Sequence, residues 1–186
     1  MPFDFTPSII PEVVIIEPRV YTDERGFFME TYKKSEFLKC GIHQDFVQCN
    51  QSKSAGGVLR GLHYQKPPKA QSKLVWAVLG EIYDVIVDLR RGSPTYGNWL
   101  GLKLSAENRK MLYVPVGFAH GFCAISQEAT VIYLTTEEYE SSYESGIIWN
   151  DPDLAIDWPV LEPVISVRDR NWPTFKFADD NFYYNE

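Results

Sequence analysis

Cysteine pairs, basic clusters and long apolar runs are all missing from this chain of 186 residues. Cys40, Cys49 and Cys123 are odd in number and show no C-x-x-C spacing. That argues against a disulfide frame or zinc site and for reduced thiols in a cytoplasmic protein. Lys and Arg total 18 against 25 Asp and Glu, a net charge of −7. General nucleic-acid binding, which needs clustered excess cations, is therefore not expected, whereas a small anion held by a few local cations remains open. No segment approaches the length of a membrane span, and no basic stretch followed by an apolar run opens the sequence, so no membrane partner is expected. Internal repeats and low-complexity tracts are lacking too. Histidine is scarce, with only His43, His63 and His120. No two are closely spaced, so no metal-ligand cluster of the usual kind can be assembled, and no metal or other cofactor is expected.

What is present is an ordinary globular composition, 45% hydrophobic and 23% charged, with a high aromatic share of 15%. It fits one domain over residues 1–186, large enough to bury a substantial core. The aromatic share suits a β-rich protein or ring surfaces for a flat ligand. Turn residues divide the chain into many short strands: 13–17, 58–65, 73–79, 81–89, 99–104, 110–114, 121–125 and 130–135. Gly80 lies between two apolar arms and predicts a hairpin. One short helix is expected at 33–40, with Ser35 as a possible cap and Gly41 as its stop. The pattern predicts an all-β fold, a jelly-roll barrel with few short helices, since such an interior can hold a ligand. Residues 150–186, rich in Pro, Asp and Trp, should wrap the barrel without strong regular structure.

His63 stands in Arg60-Gly61-Leu62-His63-Tyr64-Gln65, with Lys73 ten residues on. A lone strand histidine is more often structural, but imidazole titrates near neutral pH and can accept a proton there. Arg60 and Lys73, in isolation, read as solvated surface charges. Arg60 and His63 differ by an odd number, so a regular strand would separate them; a bulge at Gly61 would bring them to one face. Asp84 and Asp88 alternate with Ile82 and Ile86, which is unfavourable without partners, and Lys73 is a candidate partner for Asp84. Asp23 to Glu30 and Gln48-Cys49-Asn50 supply an arginine, an acid and amides suited to phosphates, a base and sugar hydroxyls, or else form a turn and a polar edge. His120 lies in the expected turn 115–122. Tyr133, as one tyrosine among eleven, and Ser166-Val167-Arg168-Asp169 carry little signal alone.

Taken together, D-E-R-G-F-F-M-E, Q-C-N-Q-S, V-L-R-G-L-H-Y-Q, Q-S-K-L-V, D-V-I-V-D-L-R-R-G-S-P-T-Y-G, V-P-V-G-F-A-H-G-F and G-I-I-W-N-D-P-D resemble the dTDP-4-dehydrorhamnose 3,5-epimerase family, a metal-free branch of the cupins. The resemblance implies a deoxythymidine diphosphate 4-keto-6-deoxyhexose as substrate, inverted at C3 and C5 to give the precursor of L-rhamnose. It implies that His63 is the base, Asp169 its dyad acid, Tyr133 the opposite-face proton donor and Lys73 the cation near the C4 oxygen. Arg25, Glu30, Gln48, Asn50, Arg60, His120 and Glu144 fall on substrate-contact positions. Arg168 stands where the family commonly has Lys, so its contact is carried over less firmly. A homodimer is implied, with the apolar strand 13–16 as a candidate for pairing with a partner's sheet. The competing readings are a single-centre epimerase or ketoisomerase, a non-catalytic nucleotide-sugar binder and a metal-dependent cupin oxygenase.

Overall fold

In the computed structural model, residues 2–184 are described. Two antiparallel sheets face each other. One has six strands in the order β1 (Phe3–Pro7), β2 (Val14–Pro18), β10 (Met111–Val114), β7 (Lys73–Leu79), β12 (Glu128–Thr135), β5 (Gln48–Ala55). The other has five, β13 (Glu144–Gly146), β6 (Leu59–Gln65), β11 (Phe118–Ala124), β8 (Glu81–Asp88), β9 (Trp99–Ser105). A separate hairpin joins β3 (Val20–Asp23) to β4 (Gly26–Met29). From β5 onward the chain changes sheet at every step except β8 to β9. That winding is the jelly-roll path anticipated from the strand pattern.

Period-two alternation sorts the side chains into layers. Val75, Ala77, Leu112, Val114 and Val131 from the six-stranded sheet meet Ile82, Ile86, Leu104, Phe118 and Phe122 from the other. The outer face of the five-stranded sheet is covered by the C-terminal segment, whose Leu154, Trp158, Ile165, Ala178 and Phe182 pack on Leu62, Val85, Val87 and Ala119. That segment is irregular apart from two short 3-10 turns, Asp169–Asn171 and Phe175–Phe177, as its composition predicts. The outer face of the six-stranded sheet is partly covered by α1 (Lys34–Lys39), with Phe37 packed among Phe3, Ile16 and Trp76.

Four expectations need correction. The strands on either side of Gly80 are not a hairpin: β7 pairs with β10 and β12, and β8 with β11 and β9. Gly80 is a corner between sheets. Its φ of +69°, and the 2.0 Å that would separate an added Cβ from the Glu128 carbonyl oxygen, explain the glycine. Strand β2 is flanked on both sides, by β1 and β10, so the 13–16 segment has no free edge for a partner. Ser35 is not the helix cap; Lys33 holds that position without a side-chain bond. The C-terminal stop does hold: Gly41 N–H donates to Leu38 O and Ile42 N–H to Phe37 O, closing the last turn. Finally, β11 begins at Phe118, so His120 is a strand residue and the turn before it is shorter than expected.

Candidate active site

At the β5, β6, β12 and β13 end of the sandwich, inward positions that elsewhere carry aliphatics carry polar groups. The result is a cavity of about 620 Å³, within the roughly 300–1,000 Å³ typical of small-molecule sites. His63, Tyr133, Asp169, Lys73, Gln48, Asn50, Arg60, His120, Glu144 and Arg168 all line it. Arg25 and Glu30 do not: they sit on and just after the β3–β4 hairpin, where Arg25 is tied to Asp23 and Glu30 to Lys33.

The register explains how Arg60 and His63 meet. His120 lies opposite His63 and Phe122 opposite Arg60, so one residue of β11 faces two of β6, Gly61 and Leu62. This is the bulge anticipated at Gly61, which has φ of +129°. An added Cβ there would fall 2.5 Å from Gly121 Cα, so only glycine fits. The extra residue brings the exposed Arg60 to the cavity side of the strand, where it donates to Ser54 Oγ at 3.0 Å and the Lys53 carbonyl at 3.1 Å.

His63 Nε2 and Asp169 Oδ1 are 2.8 Å apart. The Gly61 N–H donates to the other carboxylate oxygen at 3.3 Å. Burial works to raise the Asp169 carboxyl, but the bonds and charge of His63 and the donors Gly61 and Ser166 outweigh it and hold it down at about 2. Asp169 is therefore ionised at neutral pH and accepts from the ring. Across the cavity, β12 carries Tyr133, so imidazole and phenol come from opposite sheets. Burial raises the Tyr133 phenol, with Arg60 opposing and Glu144 assisting, which keeps it protonated near neutrality.

Lys73, the first residue of β7, points its ammonium at the His63 carbonyl, 3.5 Å away. Loss of hydration pushes it down to about 8, partly offset by Asp84 and Glu144. Asp84 does not bond Lys73 as expected; its Oδ1 is 2.8 Å from His120 Nε2. At the mouth, Glu144 accepts from Arg168 at 2.6 Å and from the Tyr139 hydroxyl at 2.9 Å. Gln48 bonds Asn50 at 2.8 Å and accepts from the Tyr139 N–H.

Several lining residues escaped the sequence reading: Ser52, Gln65, Gln71, Thr135 and Tyr139. Parity would have found three of them, since Ser52 follows Asn50, Gln65 follows His63 and Thr135 follows Tyr133 on the same strand face. Tyr139 and Gln71 lie outside the strands and left no periodic signal. Among the described residues no three His, Cys, Asp or Glu side chains gather as a metal would require. No helix among them is long and apolar enough to cross a membrane.

A jelly roll of two facing antiparallel sheets, with a histidine–carboxylate pair and a phenol lining a cavity between them, is a cupin-type fold. The family model for dTDP-4-dehydrorhamnose 3,5-epimerase matches residues 7–177, and the chain belongs to that family. A Shigella flexneri protein of that name is 52% identical over 91% of this chain and 94% of its own length. The solved dTDP-6-deoxy-D-glucose-3,5-epimerase of Legionella pneumophila, in complex with dTDP-4-keto-L-rhamnose, is 43% identical. It superposes with a TM-score of 0.94 over 99% of this chain and 100% of that one. A dTDP-4-dehydrorhamnose 3-epimerase of Streptomyces niveus is 44% identical over 84% of this chain and 76% of its own length.

Proposed function

We propose that this chain is an isomerase acting on carbohydrates, one that inverts C3 and C5 of dTDP-4-dehydro-6-deoxy-D-glucose to give dTDP-4-dehydro-L-rhamnose. The observation that carries the reading is the pairing of His63 with Asp169 on one side of the cavity and Tyr133 on the other. The C4 ketone acidifies the hydrogens on both neighbouring carbons. His63 takes one of them, and the electron pair of the C–H bond moves onto the C4 oxygen as an enolate. Asp169 holds the ring and stabilises the imidazolium that forms. Lys73 supplies positive charge to the oxygen in a site where water is displaced and charge acts strongly. Tyr133 returns a proton to carbon from the opposite face and is reprotonated from solvent, as His63 releases its proton there. No atom or electron is left over, so the chemistry itself calls for no redox partner.

Arg60, Gln48, Asn50, His120, Glu144 and Arg168 are assigned to holding the nucleotide sugar, which lets remote binding energy position the hexose. Arg25 and Glu30 belong to a hairpin that leaves Phe27 57% and Phe28 66% exposed. In a homodimer those residues would reach the cavity of the second copy, and we read the dimer as the working form. A cytoplasmic location fits the three free cysteines.

NMR of the purified protein with the 4-keto-6-deoxyglucose nucleotide in deuterium oxide tests the reading. Deuterium at both C3 and C5, with formation of the L-rhamno product, is expected; no exchange at either carbon would end it. The 3-epimerase relative makes inversion at C3 alone the second reading, and exchange confined to C3 would select it.

A further inference from the structure

Strand β8 carries two carboxylates on its inward face, both wholly buried, and they are treated very differently. Asp88 is saturated. It accepts from the Arg90 N–H and guanidinium, from Ser93 Oγ at 2.7 Å and from Thr95 Oγ1 at 2.7 Å. Asp84 has a single hydrogen bond, from His120, and its Oδ2 has no partner among the described residues. Ile82 and Ile86 flank it on the same face, both fully buried. A half-satisfied carboxylate between isoleucines is a poor structural choice, because an apolar residue there would be more stable. Its one partner, His120, lines the cavity, and its charge acts on Lys73.

We infer that Asp84 is a positioning residue of this site, which fixes the His120 ring from behind the cavity wall and brings a buried negative charge to it. The inference rests on the epimerase reading. Accepting at Oδ1 requires His120 to carry its proton on Nε2, which leaves Nδ1 as the nitrogen offered to the substrate. Asp84 from β8 and Glu144 from β13 both favour the charged form of Lys73, whose ammonium meets the His63 carbonyl at 3.5 Å. The His63–Asp169 pair, His120, Tyr133 and Arg60 share the cavity with it. Of the two carboxylates acting on Lys73, Glu144 is already bonded by Arg168 and Tyr139, whereas Asp84 keeps one oxygen free.

The test compares kcat/KM against pH for the wild type, Asp84→Asn and Asp88→Asn. An asparagine at 84 can still accept from His120 but carries no charge. The alkaline limb of Asp84→Asn is expected to move about one pH unit lower, the smaller end of the effect of an adjacent opposite charge. Asp88→Asn should lower the melting temperature and leave the limb in place. A folded Asp84→Asn enzyme whose limb coincides with the wild type overturns the inference. Should Asp84→Asn not fold, 15N-histidine NMR of the wild type decides, with only three imidazoles to assign. His120 protonated on Nε2 in its neutral form is expected, and protonation on Nδ1 instead overturns the role given to Asp84. If the wild type exchanges no substrate proton, the epimerase reading fails by itself, and the tautomer measurement still judges Asp84.

Discussion

The two ends of the sandwich interior share one backbone pattern and hold opposite contents. Between β8, β9 and β10 the inward positions include Ile82, Ile86, Leu104, Leu112 and Val114, packed as one apolar cluster. Between β5, β6 and β12 the same inward parity brings Asn50, Ser52, His63, Tyr133 and Thr135 around a cavity. Tyr133 touches both, its ring packed against the apolar end and its residue lining the polar one. The apolar end packs the two sheets together, while at the polar end most side chains face the cavity and Arg60 of β6 reaches across to Ser54 of β5. Stability and activity should therefore respond to different substitutions.

The largest separation is expected from His63→Ala, which should reduce deuterium incorporation at both carbons by about 10³-fold, in the range of a lost general base. Calorimetric binding of the nucleotide sugar and the melting temperature should stay close to the wild type; a matching loss of binding would move His63 out of the base role. Leu104→Ala is the mirror experiment. It should lower the unfolding free energy by about 2–5 kcal/mol in a denaturant titration while turnover per folded molecule is retained. A fall in that turnover would mean the two ends are coupled. Tyr133→Phe should lower net inversion by about 10²-fold and proton exchange by less, because abstraction survives while return from the far face fails. Equal losses, read from one NMR time course, would assign the phenol another task.

The smallest effect is the pH response of Lys73. Its folded value of about 8 lies below its ordinary 10.5, so the unfolded chain binds more protons between those limits. Stability contributed by this group should rise with pH across that window, while kcat/KM falls as the cation is lost. Lys73→Met should remove both trends, and a wild-type rate that is flat to pH 10 would contradict the role given to the ammonium.

Strand content was legible where apolar alternation is local, with 73–79 and 99–104 within a residue of β7 and β9, whereas β1 and the polar β5 were not anticipated. The Gly61 bulge was legible for a subtler reason, the odd interval between Arg60 and His63. Pairing was not legible. Gly80 between apolar arms looks the same whether the chain folds back or crosses to the facing sheet, and the later strands β9 to β12 decide it. The partner of Asp84 was misjudged for the same cause, since neighbouring strands in sequence suggested Lys73 and neighbouring strands in space delivered His120. Asp169 could not be placed from periodicity at all; it comes from an irregular segment, and only the family motif pointed to it. Arg25 and Glu30 matched that motif too, yet they lie on and just after the β3–β4 hairpin, outside the lining of this cavity.

The winding of the chain has a further consequence for how the enzyme comes into being. His63 and Asp169 are 106 positions apart and meet only after the roll is closed and the C-terminal segment has been laid across it. Contacts between such distant stretches form late, because the intervening loop must first be closed. Recovery of proton exchange during refolding should thus trail the recovery of strand signal, and a nascent chain released before residue 169 would lack the partner of His63.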